Sequence, residues 1–276
     1  MTNDYGTKKE MDALFSKGEE PWGQDWRASQ AIRYEIYKKI LKEQVFSKIR
    51  PPVRILDIGC SLGDFTFQLM MMNPGGITIG VDVSDIGIKM AKEKYPNMDF
   101  RVAGLPDIPI EEGNFDIITC LESIYYLPVE GRVLGLKRIK ELLHQNGYLL
   151  ISVPHWGHHK RYFTKEGFIN FVSSEFEIIL VMHNYGLLYY LFERPLFKWY
   201  WRFKSVARGE KWKSKLGCLQ TVLAPFCMFG AKIIRFILSL KPPAYIAFFL
   251  AKTIMPRTGY THTILLCRKK QPGLST

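Results

Sequence analysis

The chain has 276 residues, of which 47% are hydrophobic and 14% aromatic, enough for a packed core; a disordered polypeptide is excluded. Its five cysteines are far apart and none forms a C-x-x-C pair, which argues against a disulfide framework or a cysteine zinc site and favours a reducing compartment. The net charge of +12 is uneven: residues 1–150 hold 19 Lys and Arg against 21 Asp and Glu, and residues 151–276 hold 19 against 5, so the second half suits an anionic partner.

The first twenty residues are polar and carry no apolar signal-peptide core. The segment WGQDWR, with Trp22, Trp26 and Arg27, is read as part of a lid or as core-covering aromatics. Ile32, Ile36, Ile40 and Leu41 fall at helical spacing, which predicts a helix over 28–48 that Pro51 and Pro52 end. VRILDIG (53–59) and ITIGVDV (77–83) are short apolar runs, the pattern of strands buried on both faces. Further strands are predicted at 98–104, 115–122, 148–154, 176–182 and 261–269. Helices are predicted at 64–72, 85–94, 130–144 and 164–173. Such alternation gives a parallel sheet with helices on both faces. Residues 184–258 break the pattern and are too long for a plain loop, so they form a subdomain or helical cap.

The turn ILDIGCSLGDF joins the first strand to the first helix of the sheet. Gly59 and Gly63 stand where the backbone turns sharply and approaches a ligand. Asp82 ends the next strand, 19 residues after Gly63, where a carboxylate can accept both hydroxyls of a ribose. Three readings of the turn are open. A dinucleotide fingerprint wants G-x-G-x-x-G, which is absent. A serine-hydrolase elbow, G-x-S-x-G with Ser61 as nucleophile, matches literally but follows the first strand and lacks an upstream oxyanion loop.

The third reading is a resemblance. DIGCSLG (57–63) resembles the first motif of class I S-adenosylmethionine-dependent methyltransferases, and GVDVS around Asp82 the second. FDIITCLESIYYL is similar to the fourth-strand motif, and LLHQNGYLLISVP to the segment leading into the fifth strand. The resemblance implies an α/β fold: a doubly wound, mostly parallel seven-stranded sheet, Rossmann-like, with a helical insertion before the last strand. Residues 51–183 and 259–270 would form the cofactor-binding core, 1–50 an N-terminal helical lid, and 184–258 the insertion. The implied cofactor is S-adenosylmethionine. Asp57, Gly59, Cys60 and Gly63 would line its methionine side, with Asp57 near the ammonium group. Asp82 would bind the ribose, Val83 would pack on the adenine, and Glu122 would face the methyl sulfonium. The family often places an Asp after the third strand to hold the adenine amino group. Gly104 stands there, so that contact would pass to the Leu105 backbone or to Asp107.

Methyl transfer needs a base only if the acceptor must lose a proton. His155, directly after the fifth strand, is the candidate base. His158, His159 and Arg161 follow in a loop that Thr164 closes as a helix cap, and a zinc site lacks supporting spacing. Glu122 and Tyr125 are the other catalytic candidates, and Tyr125 and Tyr126 would border the acceptor pocket. No D/N-P-P-F/Y tetrapeptide is present, which counts against DNA and amide-nitrogen acceptors.

Residues 184–258 hold thirteen Lys and Arg against Glu193 and Glu210. FKWYWRFK (197–204) alternates cations with aromatics, and Lys211, Trp212, Lys213 and Lys215 follow. Two apolar stretches, 219–240 and 243–255, come next. The first contains Lys232, Arg235, Pro225 and Gly230, and the second is too short to span a bilayer. Helices lying in an anionic membrane interface through 194–255 are therefore expected, with a cap or dimer contact, or a single-stranded nucleic acid, as alternatives. The expected function is methylation, by preference O-methylation, of a small lipophilic or sugar-containing acceptor. The alternatives are an RNA methyltransferase or the serine hydrolase, and nucleic acid is the less favoured partner. The expected location is the cytoplasm, peripheral on the inner face of the cell membrane.

Overall fold

The computed structural model describes residues 6–17, 21–109, 113–155, 162–209 and 217–270. The chain divides into two units. One holds Met1–Trp22, Tyr34–Asn184 and His262–Thr276; the other holds Gly23–Arg33 and Tyr185–Thr261.

The first unit is built on seven strands: β1 (Arg54–Ile58), β2 (Ile77–Asp82), β3 (Asp99–Val102), β4 (Phe115–Leu121), β5 (Leu143–Pro154), β6 (Phe176–Asn184) and β7 (His262–Lys269). Their order in the sheet is β3-β2-β1-β4-β5-β7-β6. The first five are parallel, and β7 runs antiparallel between β5 and β6. Alternation along β1 explains the double burial. Ile55 packs into one hydrophobic cluster with Phe65, Leu69 and Tyr148, and Leu56 into the opposite one with Ile118, Leu149 and Ile151. The chain winds outward from β1 to β3, then restarts at β4, so the sheet's switch point lies between β1 and β4.

Helices α1 (Lys8–Phe15), α2 (Ala28–Ile40), α3 (Asp64–Met71), α4 (Asp85–Lys94), α5 (Val129–Leu142) and α6 (Lys165–Ser173) precede β6. A π turn, Leu41–Val45, extends α2. The sequence pattern does not predict α1. Asp12 on it accepts the Ser84 hydroxyl (2.6 Å) and the Ile86 N–H (3.2 Å), so its negative charge sits at the N-terminus of α4. The boundary between α5 and β5 also differs from expectation. The helix stops at Leu142 and the strand starts at Leu143, not at 148. Leu143 pairs with Phe115 across a register shift in β4, and both side chains are buried, which holds the chain extended before Asn146 and Gly147.

Among the described residues between β6 and β7 lie α7 (Leu187–Ala207), α8 (Gly217–Ser239) and α9 (Lys241–Ile254). Within the second unit, Tyr200, Ala231, Ile234 and Leu238 form a small core, and Trp26 packs on Phe197 and Tyr200. The Glu193 carboxylate is buried there. It takes Arg27 Nη2 at 2.5 Å, Arg27 Nε at 2.9 Å and the Ser29 hydroxyl at 2.7 Å.

Candidate functional site

The turn after β1 uses the left-handed region three times, at Gly59 (φ +77°), Ser61 (φ +52°) and Gly63 (φ +81°). A side chain at Gly63 would strike the buried ring of Phe100 beneath the turn, and one at Gly59 would strike Ser123 beyond β4. These contacts, with the positive φ angles, explain the two glycines. Gly59 N–H and Cys60 N–H both donate to the Val81 carbonyl, at 2.8 and 3.0 Å, which ties the turn to β2. Asp82, at the end of β2, accepts Ser61 N–H on one carboxylate oxygen (3.1 Å) and Ser84 N–H on the other (3.0 Å). Burial raises its pKa, and those N–H groups only partly offset the effect. Ser61 Oγ is buried and has no hydrogen-bond partner among the described residues. A hydrolase elbow needs a base on that oxygen, and none holds it here.

Asp57 faces the interior. Thr66 Oγ1 and Thr119 Oγ1 each donate to one of its oxygens at 2.6 Å. Burial pushes the carboxyl up to about 6 despite both hydroxyls. Each oxygen thus accepts one hydroxyl, from α3 on one side and from β4 on the other, and keeps a second lone pair.

Glu122 follows β4 and also holds a left-handed backbone (φ +54°). Its N–H donates to the Ser152 carbonyl on β5 (3.0 Å). Its carboxylate accepts the Tyr37 hydroxyl at 3.0 Å, and Tyr37 in turn lies 2.9 Å from Ser152 Oγ. His262 Nε2 stands 3.6 Å from the other oxygen, an ion-pair distance when that ring is protonated. Four elements, α2, β4, β5 and β7, converge on this carboxylate. Two left-handed non-glycine residues, Ser61 and Glu122, therefore flank the switch point on adjacent strands, where backbone strain often marks a site.

The other sequence-derived candidates are placed as follows. Val83 lies directly after Asp82, and its side chain covers Gly104 so closely that no Cβ fits there. Leu105 turns its side chain into the core, while Asp107 is exposed on the following turn. Cys60 is buried, and burial holds its thiol well above its usual pKa. Tyr125 is buried and stacks on Tyr126 at 4.5 Å, and burial pushes its phenol well above the usual range. Trp22 packs against Tyr126 in the first unit, whereas Trp26 belongs to the second.

His155 has both ring nitrogens engaged: Nδ1 lies 2.9 Å from the Phe163 carbonyl and Nε2 lies 2.7 Å from Thr263 Oγ1. A carbonyl only accepts, so Nδ1 carries the proton and Nε2 accepts the Thr263 hydroxyl. His183 Nδ1 then donates to the same hydroxyl at 3.1 Å. Burial lowers the pKa of both rings, so this chain is neutral. His158, His159, Arg161, Lys211, Trp212, Lys213 and Lys215 lie outside the described residues.

The turn at 59–63, Asp82, Val83 and Glu122 thus come to the carboxyl ends of adjacent strands, and His155 is bound up with β6 and β7. Tyr37, Ser152 and His262 are members of the site that the sequence pattern does not reveal. The one visible signal is at Ser152, a hydroxyl inside the apolar run YLLISVP.

The profile of a family described as "Methyltransferase domain" matches residues 49–192. The trans-aconitate 2-methyltransferase of Deinococcus radiodurans is 29% identical over 106 residues, 38% of this chain and 39% of that protein. The malonyl-[acyl-carrier protein] O-methyltransferase of Legionella pneumophila is 25% identical over 146 residues, 52% of this chain and 49% of that protein. The chain thus spans between about two fifths and half the length of these relatives. The crystal structure of the N-methyltransferase NodS from Bradyrhizobium japonicum with S-adenosyl-L-homocysteine superposes with a TM-score of 0.54 at 18% identity. That match covers 64% of this chain and 90% of NodS.

Proposed function

This chain belongs to the class I S-adenosylmethionine-dependent methyltransferases, and from that membership we propose that it moves the cofactor's methyl group to a hydroxyl of a small, lipophilic or sugar-containing acceptor at the inner surface of a membrane. The observation that carries the reading is the turn at Gly59–Gly63 locked to Asp82 at the switch point of the sheet. The site also fits the cofactor on a separate count. Ser61 Oγ, buried without a partner, is a polar atom left for a ligand. Each Asp82 oxygen spends one lone pair on a backbone N–H and keeps another for a ribose hydroxyl. Val83, beside Gly104, offers an apolar surface to the adenine.

When bound, the cofactor supplies a methyl group already activated for in-line displacement. The chain's part is to align the acceptor, keep water out and receive a proton. We give the proton-accepting role to Glu122, because the lone pair of His155 Nε2 already takes the Thr263 hydroxyl. Tyr37 and Ser152 hold the Glu122 carboxylate in one orientation. A carboxylate fixed in this way suits an acceptor O–H, which supports O-methylation. Tyr125, buried and neutral, serves as a wall of the acceptor side.

Isothermal titration with S-adenosyl-L-homocysteine tests the reading. The wild type binds, and Asp82→Ala weakens binding roughly 100-fold through loss of two charge-assisted hydrogen bonds, while circular dichroism shows the fold retained. A wild-type chain that does not bind this nucleoside overturns the assignment.

A further inference from the structure

Formal charge does not follow the length of the two units. Gly23–Arg33 and Tyr185–Thr261 hold fifteen Lys and Arg against Asp25, Glu193 and Glu210, which is +12, the net charge of the whole protein. The first unit is left with 23 of each sign.

The same unit exposes apolar side chains in a regular pattern. On α8, Phe226, Phe229, Ile233 and Phe236 recur every three or four residues, one helix face, and Phe226 and Phe229 are 71% and 65% exposed. The opposite face carries the buried Ala231, Ile234 and Leu238. On α9, Ile246, Phe249 and Leu250 are exposed, while Ala244 and Ala251 are buried. Scattered exposed apolar residues are ordinary on a protein surface, but continuous stripes on two consecutive helices are not. Lys232 and Lys252 are exposed at the flank of each stripe, and Lys241 stands at the junction of the two helices.

We propose that the outer faces of α8 and α9 form a bent wedge that lies in the interface of an anionic lipid bilayer. Among the described residues no single helix is long and apolar enough to cross a membrane. Leu223–Ser239 and Lys241–Ile254 meet that requirement only together, with a 52° bend between them. Two amphipathic helices meeting at an angle can both lie along a surface, with Phe and Ile among the acyl chains and flanking lysines reaching lipid phosphates. A second copy of the chain is a poorer occupant, because it would bring two units of net charge +12 together. A nucleic acid is poorer too, since the exposed faces are aliphatic and phenylalanine stripes with few cations within them. The inference gives the membrane contact in the proposed function its residues and its lipid charge, and it rests on that reading. Vesicle binding and nucleoside binding are separate measurements, so either can fail alone.

Vesicle flotation of the full chain is the test, with phosphatidylcholine alone and with added phosphatidylglycerol, at low and high salt. The wild type is expected to float with the anionic vesicles at low salt and to stay behind with the neutral ones. Phe229→Ser/Phe236→Ser/Phe249→Ser should reduce partitioning at least about tenfold, because each ring removes part of its burial energy. Lys232→Gln/Lys252→Gln should reduce it by about tenfold or more and flatten the salt dependence, at about 1 kcal/mol per cation near the surface. All variants should keep the wild-type circular dichroism and unfolding midpoint within a few degrees. The proposal is overturned if the wild type ignores anionic vesicles, or if the triple variant floats as well as the wild type. It is equally overturned by a wild-type dimer that the triple variant converts to a monomer without any lipid binding, or by binding to a single-stranded oligonucleotide in place of vesicles.

Discussion

Among the described residues the carboxylates of Asp57 and Glu193 are almost wholly shielded from solvent, one in each unit, and their surroundings are opposites. Asp57, under the sheet's glycine turn, is held by two threonine hydroxyls and no cation. Glu193, on α7, is held by the fork of Arg27 and by Ser29. Burial drives the Asp57 carboxyl up to about 6 because hydroxyls repay only part of the desolvation. Burial also opposes the charge on Glu193, but the Arg27 charge and hydrogen bonds, with help from Ser29 and Arg33, outweigh it and hold that carboxyl below its ordinary range. A neutral cradle keeps a carboxylate near its titration point, whereas a counter-charge locks one ionised.

The largest test of that contrast is Glu193→Ala. It leaves the Arg27 guanidinium, only 13% exposed, without its counter-ion. Removing one member of a buried pair costs about 3–5 kcal/mol. Chemical denaturation should register a loss of that size. A loss under about 1 kcal/mol would mean that Arg27 finds water or another acceptor and that the pair does not lock the second unit.

The next effect is smaller and concerns pH. An unfolded aspartate titrates near 3.9. Folded Asp57 titrates about two units higher, so the folded chain holds this proton more tightly than the unfolded one. Its contribution to stability is therefore complete below about pH 4 and is lost as pH rises through about 6, by about 3 kcal/mol at most. Glu193 runs the other way, with its contribution present above the ordinary carboxylate pKa and lost as pH falls through its lowered folded value. Asp57→Asn removes the first dependence and leaves the second. Urea titrations between pH 4 and pH 8 should show the variant gaining on the wild type as pH rises. A difference that stays constant across that range would show Asp57 ionised throughout, and the hydroxyl cradle would then be a strong one.

The contrast also explains what the sequence could disclose. Strands β1 and β2 are legible because apolar runs such as RILDI and ITIGVD are short, continuous and bounded by turn residues. Gly59, Gly63 and Asp82 are legible because backbone sterics and ribose chemistry fix their spacing. The partners are not. Arg27 and Glu193 are 166 residues apart, and Tyr37 and Glu122 are 85 apart, so nothing local links them. Thr119 could have been found, since a lone hydroxyl in a strand buried on both faces must bond to something. The inward turn of Asp57 follows from that hydroxyl. The left-handed backbone of Glu122 has no sequence signal, because glutamate is not a residue that prefers it.

The smallest effect comes from a second neutral cradle, the hydroxyl of Thr263 between His155 and His183. Thr263→Val keeps the shape and removes one donor and one acceptor from two half-buried rings. The cost should be about 1 kcal/mol, or roughly 2–4 °C in the unfolding midpoint. Freed of that hydroxyl, His155 Nε2 regains a lone pair, yet the ring remains held by the Phe163 carbonyl. Affinity for S-adenosyl-L-homocysteine should therefore stay within about twofold of the wild type, since each tenfold change would need about 1.4 kcal/mol of lost contact. Nitrogen chemical shifts should show His155 protonated on Nδ1 in both proteins, because the Phe163 carbonyl still accepts that proton. A tenfold loss of nucleoside affinity would bring His155 into the cofactor site and return it to contention with Glu122 as the group that receives the acceptor's proton.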